Sequence, residues 1–427
     1  MKDHRDGCAG ARPRIEAAFE TPLGAGKNDF GQGGSCGDWR CVPPPLGQGR
    51  SCAYIVGTRS HAIIPSGDIS LSAPRIYLDH AATTPILSAA REAMAEAFGR
   101  WANPSSPHRE GRAARAALEE ARAQIKAALG WRHELIFTSG ATESAAIALT
   151  RTAMARPALV SAVEHNAVLR ARSDVTILPV DAGGVVRVDT IPQGAIVAIQ
   201  HGNNETGIIQ PIERIAGAVA DAEGLLFVDC AQTAGKLPLP PADLIAVSAH
   251  KLGGPPGIGA LLVRQHGLLA PLGQGQESGY RSGTENLPAI LGFAAALDGQ
   301  TGDGAPWIPA AAEWRAHLDD VVTQHGGEIV GADSPRIPTI GAYRLPGMSA
   351  EAQLIRLDMA GFAVSAGSAC SSGSLHTSHV LSAMGLDDQA ARQVIRVSFG
   401  RTTTEAEVQA FARAWADIAR GAGSRAA

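Results

Sequence analysis

Leu244-Ile-Ala-Val-Ser-Ala-His-Lys251, followed by Gly253-Gly-Pro-Pro-Gly257 and then Ile258-Gly-Ala-Leu-Leu-Val263, decides how the chain must fold. The run Leu244 to Ser248 is short, apolar and β-prone, which predicts a buried strand. Gly253 to Gly257 forbids a helix from following directly, so the second apolar run predicts the returning strand of a hairpin. Lys251 emerges where the first strand ends, beside His250. An ammonium held between two buried strands is partly desolvated, which lowers its pKa and suits it to Schiff-base chemistry. The competing reading is a solvated loop lysine, and the rest of the chain must separate the two.

Upstream, strand-like and helical stretches alternate. Glu134-Leu-Ile-Phe-Thr138 reads as a strand, and Ser139-Gly-Ala-Thr142 leads into a helix expected to reach about Ala155. Ala158 to Val163 and Ala195 to Ile199 read as strands that end at Glu164-His165 and His201-Gly-Asn-Asn204. A helix is predicted from about Ile212 to Ala222, then Leu225-Leu-Phe-Val228 running into Asp229. This alternation predicts an α/β fold with a mostly parallel sheet and helices on both faces, whose ligand lies beyond the carboxyl ends of the strands. His165, Asn204, Asp229 and Lys251 all stand at such ends.

Nearer the start, Ile76-Tyr-Leu-Asp79 reads as a short strand, and Thr84-Pro85 is expected to supply the N-cap and first-turn proline of a helix to about Phe98. Arg109 to Leu129 predicts an amphipathic helix that stops at Gly130. From about residue 305 a long helix around Ala311 to Gln324, several strands and a closing helix from Glu405 to Arg420 predict a smaller α+β domain carrying Cys370 and Arg396.

A chain of 427 residues is long enough for two domains. Its 45% apolar content and net charge of −4 suit a soluble globular enzyme, with no basic excess for nucleic acid and no apolar run of membrane-spanning length. Cys8, Cys36, Cys41 and Cys52 crowd the first 60 residues while Cys230 and Cys370 stand alone, which is no secreted disulfide framework. A reducing, cytoplasmic compartment is expected, without a secretory signal or transit peptide. Residues 1 to 73, rich in Gly and Pro, read as a disordered or non-native extension. Cys36-x4-Cys41 lacks the second pair that a metal site needs, so no metal is expected.

The polar residues at the strand ends match the needs of pyridoxal 5'-phosphate. Its ring is an electron sink only while the ring nitrogen stays protonated, so a carboxylate must face it, and Asp229 fits. Gln232 can reach the ring hydroxyl, and His165 can stack on the ring or exchange protons. Backbone N-H groups at Ser139-Gly-Ala-Thr142, the Thr142 hydroxyl, Ser248 and His250 suit the phosphate. Cys370 lies in Ser365-Ala-Gly-Ser-Ala-Cys-Ser-Ser-Gly-Ser374, a run too small and polar for a core, which suits an exposed, mobile nucleophile; a surface cysteine without a role is the alternative. Arg396, on a strand Val394 to Ser398, either grips a substrate carboxylate or forms a structural salt bridge.

Nine motifs in order carry a resemblance: Tyr77 to Pro85, Thr138 to Ser144, Glu164-His165, Asn203 to Gly207, Val228 to Gln232, Ser248 to Lys251, Arg281 to Asn286, Ser365 to Gly373 and Ile395 to Arg401. From about residue 75 onward the chain resembles the NifS/IscS-type cysteine desulfurases, which are class V, fold-type I pyridoxal-phosphate enzymes. The resemblance implies that Lys251 carries the cofactor, Asp229 pairs with the pyridinium, Gln232 and Asn204 contact the ring hydroxyl side and His165 stacks on the ring. It implies that Ala141, Thr142, Ser248 and His250 hold the phosphate, and that Thr284 reaches the phosphate of the partner subunit in a homodimer. Arg396 would bind the carboxylate of L-cysteine, with Asn204 nearby. Cys370 would attack the substrate sulfur, keeping it as a persulfide while alanine leaves. The implied domains are 88 to 304 for the cofactor and 74 to 87 plus 305 to 427 for the smaller one. The 26 positions from Cys370 to Arg396 resemble the longer-loop group that passes sulfur to an iron-sulfur scaffold protein.

Two departures from the family pattern stand out. Gly273-Gln-Gly-Gln-Glu277 replaces the usual Gly-Gly-Gly-Gln-Glu, with Ser278 where a basic residue is common, which bears on contacts near the partner subunit's phosphate. Cys230 replaces a small residue and is expected to be buried and inert. An aminotransferase or selenocysteine lyase on the same fold, and a non-catalytic sulfur-relay subunit, are the competing functions.

Overall fold

The computed structural model describes residues 75–299, 302–367 and 377–426. Cys370 with its neighbouring serines, and the extension at 1 to 73 with its cysteine pair, lie outside the described residues. The described chain opens on β1 (Ile76–Tyr77), α1 (Ser88–Ala97) and α2 (Arg109–Ala128). The alternating region follows with β2 (Glu134–Thr138), α3 (Ala141–Thr150), β3 (Ala158–Ser161), α4 (Asn166–Leu169) and β4 (Val175–Leu178). It continues with β5 (Ile196–Gln200), α5 (Ile212–Asp221), β6 (Leu225–Asp229), β7 (Leu244–Ser248), β8 (Gly259–Val263) and α6 (Leu287–Ala296). The last third holds α7 (Ile308–Gln324), β9 (Glu328–Ile329), β10 (Ile340–Arg344), α8 (Ala350–Met359), β11 (Phe362–Ala363), α9 (His379–Ala383), α10 (Asp388–Ala391), β12 (Val394–Ser398) and α11 (Glu405–Ala426).

Seven strands form one sheet in the order β2-β8-β7-β6-β5-β3-β4. The neighbours from β4 to β7 pair in parallel, whereas β8 runs antiparallel to both β7 and β2, so the hairpin read from Leu244 to Val263 supplies the reversed strand. Alternate residues of each strand enter different cores. Val197, Ile199, Val228, Ile245 and Leu262 pack with α2, α5 and α6, while Ile196, Ala198, Phe227, Ala246 and Leu261 pack with α3. That period of two explains why both faces are apolar and why these strands read as continuous hydrophobic runs. Each fully buried Leu, Ile or Val contributes roughly 1.5–3 kcal/mol.

A separate sheet, β12-β10-β9, packs with α7, α8 and α11 around Leu318, Tyr343, Ile395, Phe411 and Trp415. β1 pairs in parallel with β11, and Asp79 bridges to Ser398, so the start of the described chain is stitched to its last strand. Among the described residues no helix is long and apolar enough to cross a membrane.

Three expectations are corrected. Helix α1 starts at Ser88, with Leu87 at its N-cap and no capping side chain. Thr84 is used elsewhere, since its N-H donates to the His250 carbonyl at 2.8 Å and its hydroxyl to the Lys251 carbonyl at 3.2 Å. Helix α3 stops at Thr150 rather than Ala155, because Thr152 bridges to Leu269 and the Arg151 guanidinium bonds to the Tyr280 carbonyl at 2.9 Å. Strand β4 was not anticipated; as an edge strand it leaves Thr176 and Ile177 exposed, without the buried apolar run that marks its neighbours.

Candidate active site

The carboxyl ends of β3, β5, β6 and β7 open on a cavity of about 640 Å³. Ten of the residues singled out in the sequence line it: Ala141, Thr142, His165, Asn204, Asp229, Gln232, Ser248, His250, Lys251 and Arg396. Thr284 does not; it is exposed on the segment before α6.

Lys251 sits in the single helical turn that ends β7. Its ammonium donates to the carbonyls of Ala81 and, at 2.9 Å, Ala82. Burial, then the charge of Arg396, lower its pKa to about 8, against the opposing pull of Asp229 and Asp79. The acceptors are themselves anchored, because Ala81 N-H donates to the Ser398 hydroxyl at 2.8 Å across 317 positions of sequence. His250 Nδ1 lies 3.1 Å from the Thr83 hydroxyl, and burial followed by the Lys251 charge takes its pKa down to about 4. It is therefore neutral at physiological pH.

Asp229 is buried and accepts from Ala231 N-H at 2.8 Å. Burial raises its pKa, opposed by that hydrogen bond and by His165 and Lys251. Glu164 is fully buried, and desolvation and the Asp229 charge push it well above the usual carboxylate range. His165 caps α4, its Nδ1 accepting from Ala167 N-H at 3.1 Å, and burial, reinforced by Lys251 and His379, lowers its pKa.

The cavity fits the cofactor that the sequence implied. Helix α3 begins after Gly140, which at φ 147° carries no capping side chain, so the first-turn N-H groups at Ala141 and Thr142 remain free for an anion. A Cβ on Gly259 would lie 2.4 Å from the Val247 carbonyl and 2.7 Å from Gly140 Cα, so the hairpin and this turn meet backbone to backbone. Gln232 donates to the Ala81 carbonyl at 2.9 Å and leaves its Oε1 buried without a partner among the described residues, an acceptor suited to a ring hydroxyl. The buried Asp229 carboxylate suits a protonated ring nitrogen.

Arg396 realises the salt bridge that the sequence left as an alternative. Its guanidinium donates to Asp79 at 2.7 Å and to the Asn204 carbonyl at 3.0 Å, with Nε buried and unpartnered among the described residues. It still lines the cavity. The sequence reading missed Asp79 as that partner. It also missed Glu205, Ser378 and His379, which line the cavity too. Ser378 caps α9 and donates to Glu205, while His379 Nε2 lies 2.8 Å from the Glu164 carbonyl. A serine before a short apolar turn was the available signal. Cys230 is fully buried, and burial pushes its thiol far above the ordinary range, which makes it inert as a nucleophile.

Outside the cavity, the altered Gly273 to Ser278 stretch places Glu277 and Ser278 at φ 47° and 54°, both left-handed. The Glu277 carboxylate, 1% exposed, takes two hydrogen bonds from Arg122 at 2.8 and 2.9 Å and one from Phe137 N-H at 2.7 Å. Farther along, Arg281 pairs with Glu143 in the first turn of α3 at 3.1 Å.

Comparison with known proteins adds the family. The aminotransferase class-V model matches residues 76–411. A putative cysteine desulfurase IscS 1 of Bacillus subtilis is 38% identical over 374 residues, 81% of this chain and 99% of that protein. A cysteine desulfurase of Gluconacetobacter diazotrophicus is 38% identical over 361 residues, 78% of this chain and 90% of that one. The crystal structure of a NifS-like protein from Rickettsia africae superimposes with a TM-score of 0.73 at 30% identity, over 81% of this chain and 99% of that chain.

Proposed function

The chain belongs to the class-V aminotransferase family and is a pyridoxal-phosphate-dependent cysteine desulfurase, and from that premise we propose how its own residues divide the work. The observation that carries the reading is the meeting of Lys251, Asp229 and the uncapped start of α3 on one cavity. Lys251 holds the cofactor, Asp229 faces its ring nitrogen, Gln232 and Asn204 lie toward its ring hydroxyl, and His165 stacks on the ring. Ala141, Thr142, Ser248 and His250 hold its phosphate. When bound, the cofactor supplies an electron sink for the substrate α-carbon.

Arg396 orients the carboxylate of L-cysteine, its position fixed by Asp79. Lys251, with its pKa at about 8, is uncharged in a useful fraction at neutral pH and moves a proton at the substrate α-carbon through Nζ. The Cys370 thiolate attacks the substrate sulfur; the substrate carbon–sulfur bond breaks, a persulfide stays on Cys370 and alanine is released. Thr284, exposed on its own subunit, reaches the phosphate of a second copy in a homodimer. The division into a cofactor domain at 88 to 304 and a small domain at 74 to 87 plus 305 to 427 belongs to the same proposal, as do a cytoplasmic location and an iron-sulfur scaffold as sulfur acceptor. The relatives' names do not favour an aminotransferase or a selenocysteine lyase.

Mass spectrometry after brief exposure to L-cysteine, with alanine assayed in parallel, tests the assignment. One added sulfur on the Cys370 peptide with stoichiometric alanine is expected, and Cys370→Ala should retain the cofactor absorbance while losing both products. Sustained alanine and sulfide release by Cys370→Ala would overturn the role of Cys370.

A further inference from the structure

Glu205 lines the main cavity, yet the chemistry assigned to Lys251, Arg396 and Cys370 gives it no part. Its backbone is fixed on the cavity wall: its N-H donates to Asn203 Oδ1 at 2.8 Å, and the carbonyl of the preceding Asn204 accepts from Arg396 at 3.0 Å. Glu205 is 7% exposed, and a carboxylate at that depth is costly unless hydrogen bonds repay its lost hydration.

Two stretches distant in sequence meet its carboxylate. The Ser378 hydroxyl donates to Glu205 Oε2 at 2.5 Å. A Cβ on Gly367 would lie 2.6 Å from that same oxygen and 3.2 Å from Cδ. The Gly367 backbone is not left-handed, so the close approach of the carboxylate is what calls for glycine there. Neighbouring contacts hold both stretches in place. Ser365 and Arg396 exchange backbone hydrogen bonds at 3.2 and 2.6 Å, and His379 Nε2 lies 2.8 Å from the Glu164 carbonyl. Gly367 and Ser378 flank the segment of sequence that carries Cys370.

We propose that Glu205 is a positioning residue for Cys370: one carboxylate holds both flanks of the cysteine's segment at the cavity, beside Arg396. Three residues of chain span at most about 11 Å, so seating Gly367 on Glu205 bounds how far a cysteine three positions later can stray from the substrate. Fixing the second flank as well shrinks the volume that the thiol searches and raises its effective concentration at the substrate sulfur. The inference rests on Cys370 being the sulfur acceptor.

Two rates measured on the holoenzyme test it. One is single-turnover persulfide formation, followed by mass spectrometry of the Cys370 peptide. The other is exchange of the L-alanine α-hydrogen for deuterium, which calls on the cofactor and Lys251 but on no sulfur transfer. In Glu205→Ala the ratio of the first rate to the second should fall about ten- to a hundredfold, whereas general structural damage would lower both and leave the ratio alone. Glu205→Gln, which keeps an oxygen for the Ser378 hydroxyl, should recover most of the ratio. Gly367→Ala keeps Glu205 but crowds its carboxylate off Ser378, so it should reproduce the fall, and it decides the matter if Glu205→Ala does not fold. An unchanged ratio in the folded variants, or a Glu205→Gln no better than Glu205→Ala, would overturn the proposal alone. Absence of added sulfur on Cys370 in the wild-type protein would overturn the assignment of Cys370 and this proposal with it.

Discussion

The strand-end wall of the cavity and the segment 271–286 both carry residues assigned to the cofactor, and they are held in different ways. Along the wall, Ile199 pairs with Val228 and Asp229 with Ala246, and all five residues of β7 are buried. The segment has no strand; residues 271–275 are exposed, and a buried anchor is Glu277, itself the first of two left-handed residues. Where backbone ladders and apolar packing share the load, a side chain can be specialised for chemistry at little structural cost. Where one carboxylate holds a turn, the same kind of substitution removes the turn.

Four substitutions press on that contrast. Lys251→Ala should abolish turnover and the lysine-linked visible absorbance while far-UV circular dichroism stays unchanged; loss of the fold would show the wall to be less independent of its side chains than its ladders imply. Glu277→Gln removes the buried carboxylate that takes two hydrogen bonds from Arg122, which keeps Glu119 at 3.0 Å as another partner, and urea denaturation should register a loss of about 1–3 kcal/mol, far from any reacting atom. A loss under about 1 kcal/mol would mean that the turn is anchored elsewhere.

Smaller effects sharpen the comparison further. Thr284→Val should weaken cofactor retention about tenfold, the value of one hydrogen bond to a charged group, and mixed dimers with a Lys251→Ala subunit would show whether the contact crosses between subunits. Glu143 joins the two regions through Arg281. Burial opposes its charge, but hydrogen bonds from Ser139 and from Arg281 prevail and hold its pKa below the usual glutamate range. Its stabilisation is therefore present above the unfolded value and lost as pH falls through the lower folded one. The group is partly exposed, so the stability gap between wild type and Glu143→Gln should be about 0.5 kcal/mol or less at neutral pH and should vanish toward about pH 3.

Those differences also explain what the sequence disclosed. Strands buried on both faces, such as Leu225–Asp229 and Leu244–Ser248, announce themselves as unbroken apolar runs, and polar residues at their ends then point to a ligand. Val175–Leu178 has no such run because it lies at the sheet edge. Thr84 was misread because its local pattern, Thr before Pro, fits a helix cap, while its hydrogen bonds go to Lys251 and His250, more than 160 positions away. Asp79, Glu205 and His379 were silent for the same reason: each gains its meaning from a partner that only the tertiary fold supplies.

The carbonyls that receive the Lys251 ammonium belong to Ala81 and Ala82, near the start of the described chain, and the Ser398 hydroxyl that fixes Ala81 comes 317 residues later. During synthesis the acceptors leave the ribosome first and wait for almost the whole chain before they can be seated. The central sheet and its helices can form from segments that lie close in sequence, but the lysine's surroundings cannot close until β12 has appeared. Competence to hold a cofactor is thus a late event in the life of each molecule, and a chain truncated before residue 398 would carry the lysine without the place built for it.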